Sequence, residues 1–378
     1  MAGSMYVHIP FCTHICYYCD FNKVFLRGQP VDEYLSALLK EIQMTFDRIP
    51  PEQMNTIFIG GGTPTALTAR QLAYLLEGIH DHFNLAEDYE FTIEANPGDL
   101  TKEKLAVLRE YGVNRLSIGV QSFRDRLLKK IGRVHRAKDV YESIDLAKEM
   151  GFSNISIDLM YALPEQTVED VRHALDEFFK LDIQHCSAYS LIVEPKTIFY
   201  NLMLKGKLRL PSQDQEADMY ELIMETMNEH GFFQYEISNY ARPGYESKHN
   251  LVYWNNEEYY GFGAGAHSYL NQVRRSNINP IRKYIERLEQ DHLPIRQEIF
   301  ISKKEAMEEE MFLGLRKNAG VSITAFINKF SVDPLEYYKE EIQRLSEQGL
   351  LELADDSIRL TKKGRMLGNE VFMAFIGD

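Results

Sequence analysis

The chain has 378 residues, 44% of them apolar and 26% charged, and a net charge of −14. That length allows two or three domains with full cores, and the acidic balance excludes nucleic acid as a partner, because phosphate-backbone binding needs a basic stripe. Four cysteines cannot staple a secreted chain of this size; no charged-then-apolar leader precedes the first strand and no apolar run of about 18 residues occurs, so the expected setting is a reducing cytoplasm.

Met5–Pro10 reads as the first strand, and the loop directly after it carries Cys12, Cys16 and Cys19 in a C-x3-C-x2-C spacing. Val31, Leu35, Leu38, Leu39, Ile42 and Phe46 then recur with a helical period over Val31–Asp47. The second strand, "NTIFIG", runs into Gly60-Gly61-Gly62-Thr63-Pro64 and a helix near Ala69–Phe83. The third, "EFTIEA", ends at Glu94, with Asn96 two residues on, and turns through "NPGDL" into a helix over Thr101–Tyr111. The fourth, "VNRLSIGV", runs into Gln121 and Ser122; Arg133 and His135 follow a short helix. The fifth, "NISIDLM", carries Asp158. After a helix over Val168–Lys180 comes the sixth, "QHCSAYSLI", where Cys186 reads as a small buried hydrophobe. Strand ends about 25–40 residues apart are the repeat of a βα unit. Near-continuous apolar strands predict an α/β fold with a parallel sheet covered by helices. Six strands are too few for a closed eight-stranded barrel, so the expected shape over residues 1–200 is a partial (β/α)6 barrel.

After Tyr200 the pattern changes. Residues 201–300 hold a long helix, Ser212–His230, and an aromatic-, Asn- and Gly-rich stretch over 233–266 with no clean period. Long irregular segments in compact domains are usually functional. From Ser302 three helices lead to "LLELADDSIRLT", a two-stranded wing, which makes residues 301–378 a winged-helix-like α+β domain. Its 11 Lys and Arg against 14 Asp and Glu favour packing over DNA binding.

Three thiolates on one loop bind metal strongly. Zinc would take a fourth ligand, such as His14 or His8. An iron–sulfur cube held by three cysteines keeps one iron open, which is a catalytic or ligand-binding feature. In parallel β/α folds the chemistry lies at the C-terminal ends of the strands. Gly61, Gly62, Thr63, Glu94, Gln121, Arg133 and Asp158 fall there, on the rim that carries the cysteines. A carboxylate in that ring suits a ribose diol or an ammonium, and exposed glycine amides suit an amino-acid carboxylate.

The cysteine spacing after the first strand resembles the radical S-adenosylmethionine (SAM) superfamily, in which the amino and carboxylate groups of SAM chelate the open iron. "YVHIPFC", "GGGTPT", "IEANPG", "NRLSIGVQSF" and "IDLMYALP" resemble its HemN/HemW branch from Tyr6 to about Thr197, and "EISNYARPGYESKHNLVYW" extends the likeness. The resemblance implies a [4Fe–4S] cluster on Cys12, Cys16 and Cys19. It implies SAM contacts at Tyr6, Gly61, Gly62, Thr63, Glu94, Gln121, Arg133 and Asp158, and a winged-helix-like C-terminal domain. The branch holds an oxygen-independent coproporphyrinogen III dehydrogenase and a haem chaperone. The dehydrogenase pattern continues to C-x3-C-x2-C-x-C; Phe21 stands at that last position here, as in the chaperone form. "HNLVYW", from His249 to Trp254, matches the H-N-x-x-Y-W motif of the chaperones. An imidazole can ligate haem iron and flat rings can pack on the macrocycle, which makes His249 the candidate haem residue and His267 a second one. The expected function is therefore haem binding and transfer to an acceptor protein, without coproporphyrinogen oxidase activity. The competing readings are the dehydrogenase and a zinc-stabilised interaction protein. A membrane-associated acceptor would bring the protein to a membrane surface, although no amphipathic basic helix argues for an anchor; a homodimer is compatible with the sequence.

Overall fold

The computed structural model describes residues 2–377. Six strands follow one another in chain order across one parallel sheet: β1 (Ser4–Ile9), β2 (Met54–Gly61), β3 (Leu85–Ala95), β4 (Arg115–Gln121), β5 (Asn154–Tyr161) and β6 (His185–Ser190). Between them run α1 (Val31–Phe46), α2 (Ala69–His80), α3 (Lys102–Glu110), the short α4 (Asp125–Lys130), α5 (Ala137–Glu149) and α6 (Val168–Lys180). The sheet with its helices is the partial (β/α)6 barrel expected from the sequence. The helix starts are chemically marked: Thr68 with Gln71 and Thr167 with Asp170 form reciprocal capping boxes.

Contrary to the expectation of near-continuous apolar strands, the strands alternate. On β4, Leu116, Ile118 and Val120 are fully buried in the core beneath the helices, while Arg115 and Ser117 line an interior cavity. On β5, Ile155, Ile157 and Leu159 face the core and Asp158 faces the cavity. On β6, Cys186 and Ala188 face the core and Ser187 and Tyr189 the cavity. Period-two side-chain direction turns this pattern into a barrel wall that is apolar outside and polar inside.

The stretch over 233–266 supplies what closes that wall. Strands β7 (Phe233–Glu236) and β8 (Asn239–Ala241) form a hairpin that pairs antiparallel with β6. Helices α7 (Ile198–Leu204) and α8 (Gln213–Glu229) precede the hairpin, helix α9 (Lys248–Trp254) follows it, and β9 (Tyr260–Phe262) then pairs parallel with β1 at the opposite edge. The segment has no single period because it serves two sheet edges with a short helix between them.

Helix α9 crosses the interior at the level of the strand starts, where it forms the floor of the barrel. Its first free donors converge on the buried Glu90 carboxylate of β3: Ser247 Oγ at 3.3 Å, Lys248 N at 3.0 Å and His249 N at 3.1 Å. An anion at a helix start satisfies the orphan N–H groups. At the other end Lys317 Nζ bonds Asn255 Oδ1 at 2.6 Å, Lys329 Nζ donates to Asn256 O at 3.0 Å, and the Arg316 guanidinium lies 4.6 Å from the Trp254 ring centroid.

Those three cations belong to the C-terminal domain. It holds α10 (Lys303–Gly314), α11 (Ile323–Phe330), α12 (Lys339–Glu347) and a wing of β10 (Leu351–Ala354) and β11 (Ser357–Leu360), which Val321–Ser322 extends to three strands. Met311, Phe326, Leu345, Ile358 and Val371 form its own core. Among the described residues no helix is long and apolar enough to cross a membrane.

Glu90→Ala should leave one buried and one partly buried backbone N–H group and a hydroxyl unpaired at the start of α9. The expected loss is about 3 kcal/mol in chemical denaturation, with a smaller loss for Glu90→Gln, which keeps one acceptor.

Candidate functional site

The cysteine loop begins where β1 ends. Phe11–Cys12 pairs with Val24–Phe25, which folds the intervening residues into a closed loop over the barrel mouth. Cys12 is buried and accepts a hydrogen bond from Thr63 Oγ1 at 3.7 Å; Cys16 and Cys19 are half-buried. Burial pushes the Cys12 thiol up to about 11 and raises Cys19 as well. All three thiols line one cavity of about 400 Å³. Cys186 lies elsewhere, in the core on the outer face of β6.

The glycine strip after β2 packs against this loop. A Cβ on Gly62 would lie 2.8 Å from Phe11 O and 3.0 Å from Cys12 Sγ. Gly61 has φ of 112°, and a Cβ there would lie 2.4 Å from the His8 ring. Contrary to the sequence expectation of exposed amides, the amides of this strip are engaged. Gly61 N donates to Glu94 Oε2 at 3.0 Å, Gly62 N to Ile9 O at 2.8 Å and Thr63 N to Phe11 O at 2.8 Å. What the glycines supply is close approach, fastening β2 to the cysteine strand.

Gly61, Gly62, Thr63, Glu94, Gln121, Arg133 and Asp158 all line the cavity of the three cysteines. Gln121 ends β4 in the left-handed region, φ 67°, at a break in the β4–β5 register. Such a conformation in a non-glycine residue stores strain and clusters at functional sites. Arg133 donates from Nη1 to Asn96 Oδ1 at 2.6 Å, and its buried Nε has no partner. Burial pushes Glu94 up to about 8, with the Asp158 charge adding to it. Burial raises Asp158 too, against the pull of Ser187 and Arg115.

Tyr6 and His249 line a second, deeper cavity of about 240 Å³, which shares Phe21, Gly61, Glu94, Ser117, Asp158 and Tyr189 with the first. Tyr6 OH bonds His8 Nδ1 at 2.9 Å, and His8 Nε2 bonds Asn22 O at 2.8 Å. Both His8 nitrogens are thus engaged away from the thiols. His14 lines the thiol cavity, yet among the described residues no three His, Cys, Asp or Glu side chains are gathered for a single metal ion. His249 is 1% exposed; Nδ1 bonds Thr56 Oγ1 and Nε2 bonds Tyr253 OH, each at 2.8 Å, and its ring stacks on Phe58. Burial, with the Arg115 charge behind it, lowers His249 to about 3, so the imidazole is neutral. His267 is exposed and lines a separate recess with Tyr6, His8 and Asn22. The sequence reading missed Glu90, Arg115 and Tyr253; the alternation on β3 and β4 marks the first two as inward-facing.

A parallel half-barrel with three thiols at its mouth and a carboxylate-lined interior defines a radical SAM protein, and residues 6–178 match the model of the Radical SAM superfamily. Residues 301–367 match the HemN C-terminal domain. The chain is 53% identical to the heme chaperone HemW of Bacillus subtilis over 99% of each chain. It is 49% identical to that of Lactococcus lactis over 100% of this chain and 98% of the relative. The solved structure of coproporphyrinogen III oxidase (HemN) from Escherichia coli, titled as a radical SAM enzyme, superposes with a TM-score of 0.84 at 26% identity, covering 98% of this chain and 89% of that one. The chain belongs to the HemW family of the radical SAM superfamily.

Glu94 gives a test of the site's electrostatics. Its folded-state carboxyl sits above the ordinary 4.5, at about 8, so its contribution to stability is present below the ordinary value and lost as pH rises through the folded one. Glu94→Gln removes that loss and keeps an acceptor for Gly61 N. The variant's melting temperature minus that of the wild type should therefore grow between pH 5 and pH 8, as read by calorimetry.

Proposed function

We propose that this protein binds haem and hands it to an acceptor protein, with a [4Fe–4S] cluster on Cys12, Cys16 and Cys19 and SAM on the surrounding rim. The observation that carries this reading is the donor set. Three thiols face one cavity, the fourth cysteine lies in the core, and Phe21 stands at the next position of the dehydrogenase's cysteine pattern. Gly62 leaves Cys12 no room for a Cβ between them, and the unpartnered Arg133 Nε lies on the same cavity. These residues fit the cluster. When bound, it supplies an iron with an open coordination position and a one-electron couple.

The chain's own residues would then divide the work. Glu94 and Asp158 offer buried negative charge to the cationic and ribose parts of SAM, and a cation arriving there draws both carboxyls toward the ionised form. Gln121 and Arg133 supply amide and guanidinium donors. Phe21, Tyr189 and Ile192, exposed at 62%, 40% and 68%, make an apolar lip at the mouth that suits a flat macrocycle. His249 is a neutral imidazole, the form that ligates iron, and ligation would require release of Thr56 or Tyr253. The acceptor is a protein that uses haem; a membrane-bound acceptor would draw the protein to the membrane surface. A second reading, the oxygen-independent coproporphyrinogen III dehydrogenase, is favoured by the fold shared with E. coli HemN; porphyrinogen decarboxylation by the SAM-loaded protein would establish it.

Serine at positions 12, 16 and 19 together should abolish the brown colour, iron and sulfide of anaerobically prepared protein. Retained iron and sulfide would sink the cluster assignment, and stoichiometric zinc in the wild type would revive the zinc reading. A haemin titration followed by absorbance should saturate at equimolar haem, and His249→Ala should weaken it several-fold. An unchanged Soret position in that variant would place the iron ligand elsewhere; absence of saturation in the wild type would remove the carrier function.

A further inference from the structure

Arg115 opens β4 and points into the deep cavity, although it is only 2% exposed. Its Nε has no hydrogen-bond partner, and among the described residues no carboxylate forms an ion pair with its guanidinium. Asp158 feels its charge, as do the two buried histidines His185 and His249, which lie further below their ordinary range because of it. A buried guanidinium without a hydrogen-bonded counter-charge is costly, and its planar fork matches a carboxylate bidentately.

The geometry points to Arg115 as an anion subsite that receives a carboxylate arm of the tetrapyrrole. This inference rests on the haem-binding reading and adds the part of the ligand that enters the barrel. Haem carries two propionates on one edge of a flat ring. The deep cavity, about 240 Å³, is too small for the ring and large enough for one arm. It opens into the thiol cavity through shared walls at Gly61, Ser117 and Tyr189, so an arm can enter from the apolar lip while the ring stays at the mouth. In the SAM-free protein Glu94, on the same path, is largely protonated near neutrality because burial lifts it to about 8, and so repels an incoming anion weakly.

The test compares haemin with haemin dimethyl ester, in which both propionates are neutral, by absorbance titration of the full-length, cluster-loaded, SAM-free protein. Wild type should bind haemin about tenfold or more tighter than the diester, the scale of a charge-assisted contact to a buried group. Arg115→Gln should bind the two alike, and Arg115→Lys should recover part of the preference; retained iron, sulfide and melting temperature would show that each variant is folded. Equal binding of haemin and diester by the wild type would overturn the subsite while leaving haem binding intact, and this comparison needs no variant. A haemin preference that survives in folded Arg115→Gln would overturn it as well. Failure of both compounds to saturate the wild type would overturn the haem reading, and the subsite with it.

Discussion

Three donors at the start of α9 converge on the Glu90 carboxylate, and that contact shuts the bottom of a barrel whose interior is polar. An open half-barrel with Arg115, Ser117, Asp158 and Thr56 on its inner face would flood with water and lose its cavities. The floor helix has only seven residues, too short to persist alone. It depends on the anion at its start and on the C-terminal domain's Lys317 and Lys329 at its end. The winged-helix-like domain is thereby tied to the barrel through packing.

The two cavities stack along the barrel axis and differ in character. The upper one combines soft thiols, carboxylates and an apolar lip. The lower one is walled by aromatic rings and the hydrogen-bonded His249, with Arg115 as its cation. Burial holds Glu94 and Asp158 above their ordinary values, so the interior carries less negative charge than a count of its carboxylates implies. The chamber thus presents carboxyls near its mouth and the Arg115 guanidinium at its depth, opposite kinds of charge at different levels.

Much of this was legible in the residues. The cysteine spacing, the glycine strip and the polar residues at strand ends marked one rim, and the structure gathers them round one cavity. The strands were located to within a few residues. Their inner faces were harder to see, because Leu116, Ile118 and Val120 make a run such as "NRLSIGV" look continuously apolar, while Arg115 and Ser117 decide what the barrel contains. The stretch over 233–266 resisted reading for a different reason. Its pieces are three to seven residues long and belong to opposite edges of the sheet, and local periodicity carries no information about partners so distant in sequence. The glycine amides show the same limit: spacing marks where a backbone can approach, and only the fold shows that Ile9, Phe11 and Glu94 already occupy those donors.

The strand that opens the chain pairs on one side with Met54–Gly61 and on the other with Tyr260–Phe262. A growing polypeptide therefore leaves the ribosome with one sheet edge bare and its polar chamber unfloored until most of its length has emerged. Non-local pairing of this kind is slow and exposes unpaired edges in the interim. The chamber comes into being as a whole, late in synthesis. Any ligand of this chamber must enter a finished vessel, since the chain cannot wrap it while it is being made.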